Sequence, residues 1–345
     1  MQKALELAAK GKLSPSPVGC VIVKDDIILG QGYHKKAGSD HAEIAAIKDA
    51  EKKGNTVKDS TFYVTLEPCN SFGRTPPCVD RLIKEKIKKV IIATLDPNPK
   101  THSKSVAKLK AAGIEVRVGL LEEEADKLIL PFFAEIKQRP FILLKVAMTA
   151  DGFIAKNNNK RLLITGKESN HWVHCKRREV DAVLIGKNTA ITDNPQLSSR
   201  LEDTIYPTRI ILDSKGTIKN LKCLSLPGKT IILTANKDYK NKKAEILLCK
   251  TTNNKIDIKD ALAKLKDHGI KSIMVEGGSE TIKSFIDNQL VDQFALFVAP
   301  KAIEEGIPFY KGITPGNMVQ KLNLRVLHSC DKGVDKHILA KPITL

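Results

Sequence analysis

His41-Ala42-Glu43, Pro68-Cys69 and Cys78 supply one imidazole, two thiols and a carboxylate two residues from the imidazole. That set can hold a catalytic zinc ion. Zinc takes His and Cys donors tetrahedrally, and three protein ligands leave a fourth position for a water whose pKa the metal lowers towards neutrality. His41, Cys69 and Cys78 are therefore the candidate ligands. Glu43 is the candidate proton carrier. The competing reading is a structural zinc or free thiols, but each group falls in order at the edge of a predicted element, and Glu43 has no packing reason to be there. Two weaker signals lie further on. Glu276-Gly277-Gly278-Ser279 follows an apolar run and opens a helix, a place where backbone N–H groups can approach a phosphate; an ordinary turn is the alternative. Lys145 interrupts the otherwise apolar Phe141–Met148, either as a snorkelling lysine or as a site residue.

The elements that must position these groups follow from periodicity and punctuation. Residues 2–10 read as a short helix, 18–23 and 27–30 as a hairpin turning at Asp25-Asp26, and 61–66 as a strand ending at Glu67-Pro68-Cys69. Ser39 or Asp40 is placed to cap a helix running from about His41 to Gly54. Cys78 opens another helix, so the metal would lie between two helix N-termini, whose dipoles favour thiolate over thiol. Strands at 90–95 and 114–118 alternate with helices at 104–112 and 122–136, giving a layered α/β domain with a largely parallel sheet beyond its hairpin. Gln138-Arg139-Pro140 marks the boundary, dividing the chain into 1–138 and 139–345. The second part carries strands at 141–148, 182–185, 209–212, 230–233 and 272–275, with helices at 167–178, 259–268 and 279–287. It is also α/β. It has no Gly-x-Gly-x-x-Gly, so a Rossmann domain is not supported.

The chain of 345 residues carries a net charge of +18. The excess is not localised: residues 1–140 hold 24 Lys and Arg against 18 Asp and Glu, and residues 141–345 hold 33 against 21. A nucleic-acid footprint would cluster cations on one element with aromatics interleaved. Lysines spread through every segment imply a solvated surface that favours an anionic small substrate. Seven cysteines, odd in number and scattered, argue against a disulfide framework. Cys20, inside an apolar strand, is expected in the core. No stretch approaches the roughly 20 apolar residues of a membrane span, and the first ten residues have no export signal, so a cytoplasmic protein without membrane partners is expected.

The stretch 17–99 resembles the cytidine-deaminase-like superfamily, whose zinc deaminases share the His-x-Glu and Pro-Cys arrangement. Within it, Leu66-Glu-Pro-Cys-Asn-Ser-Phe-Gly-Arg-Thr-Pro-Pro-Cys78 and Asp96-Pro-Asn-Pro99 are similar to the bifunctional riboflavin-biosynthesis deaminase/reductases. Deaminases of tRNA adenosine or free cytidine usually space these cysteines Cys-x2-Cys; here eight residues intervene. The resemblance implies a three-layer α/β/α deaminase domain that removes the 2-amino group of a diaminopyrimidinone ribosylamino 5′-phosphate, with Zn2+ on His41, Cys69 and Cys78 and Glu43 as proton donor. Arg74 would meet the phosphate or a ring oxygen, unless it is a solvated loop arginine. The sequence departs from the family's usual residues at Ser16 (Asn) and Ser71 (His).

The second part resembles the same family's reductase domain, which is similar to dihydrofolate reductase. Leu144-Lys-Val-Ala-Met-Thr-Ala-Asp-Gly152, Ile164-Thr-Gly166, Asp181-Ala-Val-Leu-Ile-Gly186, Asp193-Asn-Pro-Gln-Leu197, Ile211-Leu-Asp-Ser214 and Val275-Glu-Gly-Gly278 carry the match. It implies that Ala147, Leu163, Thr189, Asp193, Ser214 and a turn formed by Gly278, Ser279, Glu280, Thr281, Ile282, Lys283 and Ser284 contact NADPH. Arg161, Arg177, Leu197, Arg200 and Glu276 would hold the substrate, the arginines suiting its phosphate. Lys145 joins them by residue type and, with Asp151, is a candidate proton donor. The implied reaction is hydride transfer to C1′ of the ribosyl group. Leu163 stands where the family has Trp, Arg161 where it has Ser, and Asn194 where it has Asp; losing the aromatic removes a stacking partner worth about 1 kcal/mol. Trp172 is expected in the core. A homo-oligomer is compatible with the sequence. Two alternatives compete: a zinc deaminase that edits tRNA or another nucleic acid with an accessory basic domain, and a diverged paralogue with one half inactive.

Overall fold

The structure, a computed structural model, describes residues 1–72, 76–157 and 162–343. The chain divides into two compact units, Met1–Gln138 and Arg139–Leu345.

In the first unit the elements follow the order α1 (Gln2–Ala8), β1 (Gly19–Lys24), β2 (Ile27–Tyr33), α2 (Ala42–Lys52), β3 (Thr61–Leu66), α3 (Cys78–Lys84), β4 (Lys89–Thr94), α4 (Lys104–Ala111), β5 (Glu115–Val118) and α5 (Glu122–Lys137). The sheet order is β2-β1-β3-β4-β5. β3, β4 and β5 pair in parallel, whereas β1 pairs antiparallel with both β2 and β3. Beyond the opening hairpin the sheet is parallel, as expected, and β1 joins that hairpin to it by an antiparallel pairing with β3. Valine and isoleucine at alternate positions feed both faces. Ile22, Phe62, Val64, Val90 and Ile92 meet Ala46, Ile47, Val79, Leu82 and Leu109 of α2, α3 and α4 on one side. On the other, α1 and α5 place Leu5 and Ala125 over Ala93. Three layers result. α2 lies unusually close to β2: a Cβ at Gly32 would fall 2.5 Å from the Ala46 nitrogen, so glycine is what lets the helix approach. Cys20 is fully buried, as expected.

The cap of α2 differs from expectation. His41 itself occupies the N-cap position, and neither Ser39 nor Asp40 caps. Both are engaged elsewhere: the Ser39 hydroxyl bridges the two backbone groups of Lys36, and Asp40 accepts from Lys48 at 2.6 Å.

The second unit is built on nine strands in the order β11-β10-β9-β8-β14-β6-β15-β18-β17. They are β6 (Phe141–Met148), β8 (Ala182–Gly186), β9 (Thr208–Leu212), β10 (Thr230–Thr234), β11 (Glu245–Leu248), β14 (Ser272–Gly277), β15 (Gln293–Val298), β17 (Leu324–Lys332) and β18 (Asp335–Pro342). β11 to β15 run parallel, and β18 and β17 close the sheet as an antiparallel hairpin. Two small ribbons, β7 (Phe153–Ala155) with β16 (Ile307–Pro308) and β12 (Thr251–Thr252) with β13 (Lys255–Ile256), lie outside it. The helices are α6 (Lys167–Glu179), α7 (Lys187–Asp193), α8 (Ile258–Asp267), α9 (Ser279–Asp287) and α10 (Met318–Lys321). Alternation along β6 sorts the core: Ile142, Leu144, Val146 and Met148 face α8 and α9, while Leu143 faces Val173 of α6 and Ala190 of α7. α8 is capped by Asp257, whose carboxylate accepts from the Lys259 and Asp260 nitrogens. Among the described residues no helix is long and apolar enough to cross a membrane.

Candidate metal centre and cofactor cradle

In the first unit the α2 and α3 amino ends and the loop after β3 converge. The His41 Nδ1 lies 3.5 Å from the Cys69 Sγ and 3.3 Å from the Cys78 Sγ. The three ligand atoms all fall within 4.8 Å of one another. A tetrahedral zinc with ordinary Zn–S and Zn–N bonds sets S···N edges of about 3.5 Å, so the donor set fits that ion without rearrangement. The Glu43 carboxyl, 3% exposed in the first turn of α2, reaches the Cys78 thiol.

The electrostatics of these groups are strongly perturbed. Burial, and then the Cys69 charge, raises the Glu43 carboxyl to about 7. Hydrogen bonds from Cys78 and His41 bring the Cys69 thiol down to about 4. Cys78 moves up, held by its hydrogen bond to the Cys69 thiolate and by burial. The His41 imidazole is raised, first by its hydrogen bond to Cys69. One thiolate therefore shares protons with a second thiol and an imidazole, an arrangement that a dication would replace by coordinating all three.

Cys69 is held from behind. Glu67, at the end of β3, is 3% exposed, and its two oxygens accept the backbone N–H groups of Asp96, Ser103, Ser105 and Val106. The Ser105 hydroxyl donates to the Pro68 carbonyl at 2.5 Å. One carboxylate thus caps α4 and fixes the turn that presents Cys69. Sequence reasoning passed over Glu67, although its place directly before Pro-Cys at a strand end was a signal. His34 was also missed: its ring meets His41 edge-on at 5.2 Å, and its Nδ1 lies 2.7 Å from the Ser14 hydroxyl. Ser14 also turns the backbone back on Ser16. Ser71 is exposed, while the neighbouring Asn70 has a buried Oδ1 without a hydrogen-bond partner. Arg74 lies outside the described residues.

In the second unit Ala147, Thr189, Ser214 and Gly278 lie at or just beyond the carboxyl ends of β6, β8, β9 and β14, where ligands of open parallel sheets bind. Gly277 and Gly278 turn the corner into α9 with φ of 126° and 77°. A Cβ on Gly278 would lie 2.9 Å from the Thr189 hydroxyl, and one on Gly186 would lie 2.5 Å from that of Thr281. Gly278, Thr281 and Thr189 therefore form one cradle between the starts of α7 and α9. It suits a phosphate approached by backbone N–H groups. Ala147 lies near the end of β6, and Asp193 ends α7. Ser214, just past β9, lines a cavity of about 370 Å3 with Lys215, Ala235, Thr251 and Asn254. A larger cavity of about 610 Å3, lined by Tyr239 and several lysines, contains none of the expected site residues.

The segment 278–284 is not the expected turn. Residues Ser279–Ser284 are helical, and Ile282, 2% exposed, packs in the core against the sheet, since positions 281, 282 and 285 share the buried face of α9. Glu280 is paired with Lys255, and Lys283 is exposed. Only the amino end of the segment faces the cradle.

On the α6 side of the sheet, Arg177 grips Glu276 with two bonds of 2.6 and 2.7 Å and donates to the Ser198 carbonyl at 2.9 Å. Glu276 sits at an irregularity between β14 and β8, which re-aims its side chain. Arg177 holds the Glu276 carboxyl low against the burial that would raise it. Lys145 does not snorkel. Its amine is desolvated among Glu276, Arg177 and Asp335, lies 5.9 Å from the Phe297 ring centre, and is lowered by burial. Leu197 is 1% exposed and belongs to the core, whereas Arg200 is exposed with φ of 47°. Leu163 is 65% exposed. Asp151 accepts the N–H groups of Ile303 and Glu304, a loop-holding role. Trp172 is half-buried against Phe297 and His337. Arg161 lies outside the described residues.

Comparison with known proteins matches both units. The family described as the RibD C-terminal domain covers residues 140–338, and the cytidine and deoxycytidylate deaminase zinc-binding region covers residues 1–94. The riboflavin biosynthesis protein RibD of Aquifex aeolicus is 45% identical over 89% of this chain and 88% of its own. That of Actinobacillus pleuropneumoniae is 38% identical over 88% of this chain and 83% of its own. Among solved structures, a diaminohydroxyphosphoribosylaminopyrimidine deaminase/5-amino-6-(5-phosphoribosylamino)uracil reductase from Thermotoga maritima is 36% identical, with a TM-score of 0.60 over 99% of this chain and 97% of its own.

Proposed function

The chain belongs to the RibD family of riboflavin-biosynthesis enzymes, with a zinc-binding deaminase domain and an NADPH-using reductase domain, and from that premise we propose how its residues divide the work. Residues 1–138 hydrolytically deaminate 2,5-diamino-6-ribosylamino-4(3H)-pyrimidinone 5′-phosphate. Residues 139–345 then reduce the ribosyl side chain of the product to ribityl.

In the first step His41, Cys69 and Cys78 hold zinc, which when bound supplies a water of lowered pKa. Glu43 accepts a proton from the attacking water and passes it to the ring nitrogen, then accepts a second proton from the hydroxyl so added and gives it to the amino group, which leaves as ammonia as the carbonyl forms. A carboxyl raised to about 7 by burial can serve in both directions at neutral pH. The observation that carries this reading is the convergence of three zinc donors with one buried carboxyl that is not among them. The test is Glu43→Gln: ammonia release should collapse while zinc content stays at the wild-type level, and deamination at full rate contradicts the assignment.

In the second step the Gly278, Thr281 and Thr189 cradle and Ser214 bind NADPH, which supplies the hydride. Arg177 and Glu276 hold the substrate from the α6 side, with Lys145 beside them and the exposed Arg200 placed for the phosphate. The partner is a small phosphorylated pyrimidine rather than a nucleic acid. The nucleic-acid-editing alternative leaves the second unit, its cradle and its family match without a role.

A further inference from the structure

Lysines occur in every segment of the chain, yet within the second unit their excess is concentrated. Residues 214–243 hold eight lysines against one acidic residue, Asp238; that is seven of the twelve net positive charges that 33 cations and 21 anions give residues 141–345. This stretch includes the two loops that follow β9 and β10. Residues 216–220 of the first loop and 239–243 of the second enclose the cavity of about 610 Å3 that holds none of the expected site residues. Its size falls within the roughly 300–1,000 Å3 of small-ligand pockets.

The two walls are clamped together. The Tyr239 hydroxyl donates to the Ile218 carbonyl at 2.5 Å, and the Asn241 Nδ2 donates to the Ile218 and Lys219 carbonyls at 3.3 Å each. Gly216, with φ of 63°, lets Tyr239 lie against the backbone: a Cβ there would fall 2.6 Å from the Tyr239 Cγ. Asp213, the buried carboxylate at the root of the first loop, is spent on the Thr217 and Ile218 N–H groups at 2.6 and 2.9 Å. Both walls contribute lysines, Lys219 from one and Lys240, Lys242 and Lys243 from the other. Lys243 donates to the Ser225 hydroxyl at 3.2 Å. Outside the cavity Lys229 pairs with Glu245 at 2.6 Å, but among the described residues Lys219, Lys240 and Lys242 have no ion pair. Cations held around a clamped cleft without counter-charges repel one another and concentrate anions there. An anion seated among them removes that cost.

We propose that this cavity binds a small molecule carrying a chain of two or more phosphates, at a site separate from the cofactor cradle. Three unpaired ammonium groups match its charge and act as point charges on phosphate oxygens. Tyr239 supplies an aromatic wall. The same loop begins at Ser214, so the site is tested with the cofactor in place.

The full-length zinc enzyme, saturated with NADPH, is titrated calorimetrically with inorganic pyrophosphate and with ADP. Each should bind at one equivalent per chain, and more weakly as salt is raised. Tighter binding of ADP identifies a nucleotide as the ligand, and equal affinities identify the phosphate chain alone. Lys219→Ala, Lys240→Ala and Lys242→Ala combined should weaken binding about tenfold, with NADPH affinity, titrated separately, unchanged. Removing three exposed lysines of the first unit instead, by Lys10→Ala, Lys52→Ala and Lys84→Ala, should leave anion binding as it is. Equal losses in the two triple variants would show that the overall charge attracts the anion, and would overturn the site. Anion binding that is present without NADPH and vanishes with it would make the cavity part of the cofactor's own site, and also overturns the proposal. So does the absence of binding by either anion.

Discussion

In the first unit every group that touches the proposed metal chemistry lies between His41 and Cys78, carried by two helix starts and one strand end. In the second, the proposed residues run from Lys145 to Thr281 and come from β6, α6, α7, β14 and α9. A metal centre needs a few donor atoms at fixed short distances, so short motifs suffice. A hydride-transfer site must hold a dinucleotide and a phosphosugar over a whole sheet edge, so its residues are spread along the chain. The first is vulnerable to single atoms and the second to the loss of charge balance.

The largest effect should come from Glu43→Gln, which removes the proton carrier without touching a ligand. Ammonia release should fall by about 10²–10⁴-fold, while NADPH oxidation with pre-deaminated substrate stays at the wild-type rate. Loss of both activities together would dissolve the contrast between the units. Arg177→Met probes the second unit by stranding the buried Glu276 charge. It should cost that unit about 3–5 kcal/mol, seen as a lower melting transition, and abolish reduction with deamination intact.

A smaller effect is expected at Asp96, whose carboxyl burial raises from 3.8 to about 6. A raised carboxyl destabilises the fold above its folded pKa, and that penalty disappears as pH falls through 6 towards 4. Asp96→Asn keeps the acceptor for the Asn98 N–H at 2.8 Å and should stabilise the first unit by about 2 kcal/mol at pH 8 and by nearly nothing at pH 4. Equal Tm gains at both pH values would contradict the assignment. The smallest is Leu163→Trp. Restoring a ring at this exposed position should tighten NADPH by about 1 kcal/mol, a fivefold lower Kd by titration.

The same contrast explains what could be read before the structure. The zinc donors, Glu43, the strand 61–66 and the helices at 78 and 104 were legible because motif and element edge coincide. The cap of α2 was not, because Ser39 and Asp40 have the right side chains but are engaged in other contacts. In the second unit the strands with continuous apolar runs were legible. β15, β17 and β18 were passed over: β17 and β18 carry charged residues at both ends of short apolar stretches, whereas β15 is as apolar as the strands that were read. Lys145 could be noticed as an anomaly, but the Arg177 and Glu276 pair beside it could not be joined to it, since that pair comes from a helix and a strand distant in sequence. The extension of cofactor contacts through Ile282 failed for the opposite reason: a contiguous motif was assumed where helical periodicity turns alternate residues into the core.

The central claim is that one chain performs two ordered steps at two separate sites. Supplying the diaminopyrimidine ribosylamino phosphate to the zinc enzyme, with ammonia and NADPH followed separately in one reaction, tests it most directly. Ammonia should appear with or without NADPH, and NADPH oxidation should begin only after a lag set by that release. NADPH oxidation without a lag, or ammonia release that requires NADPH, would contradict the account.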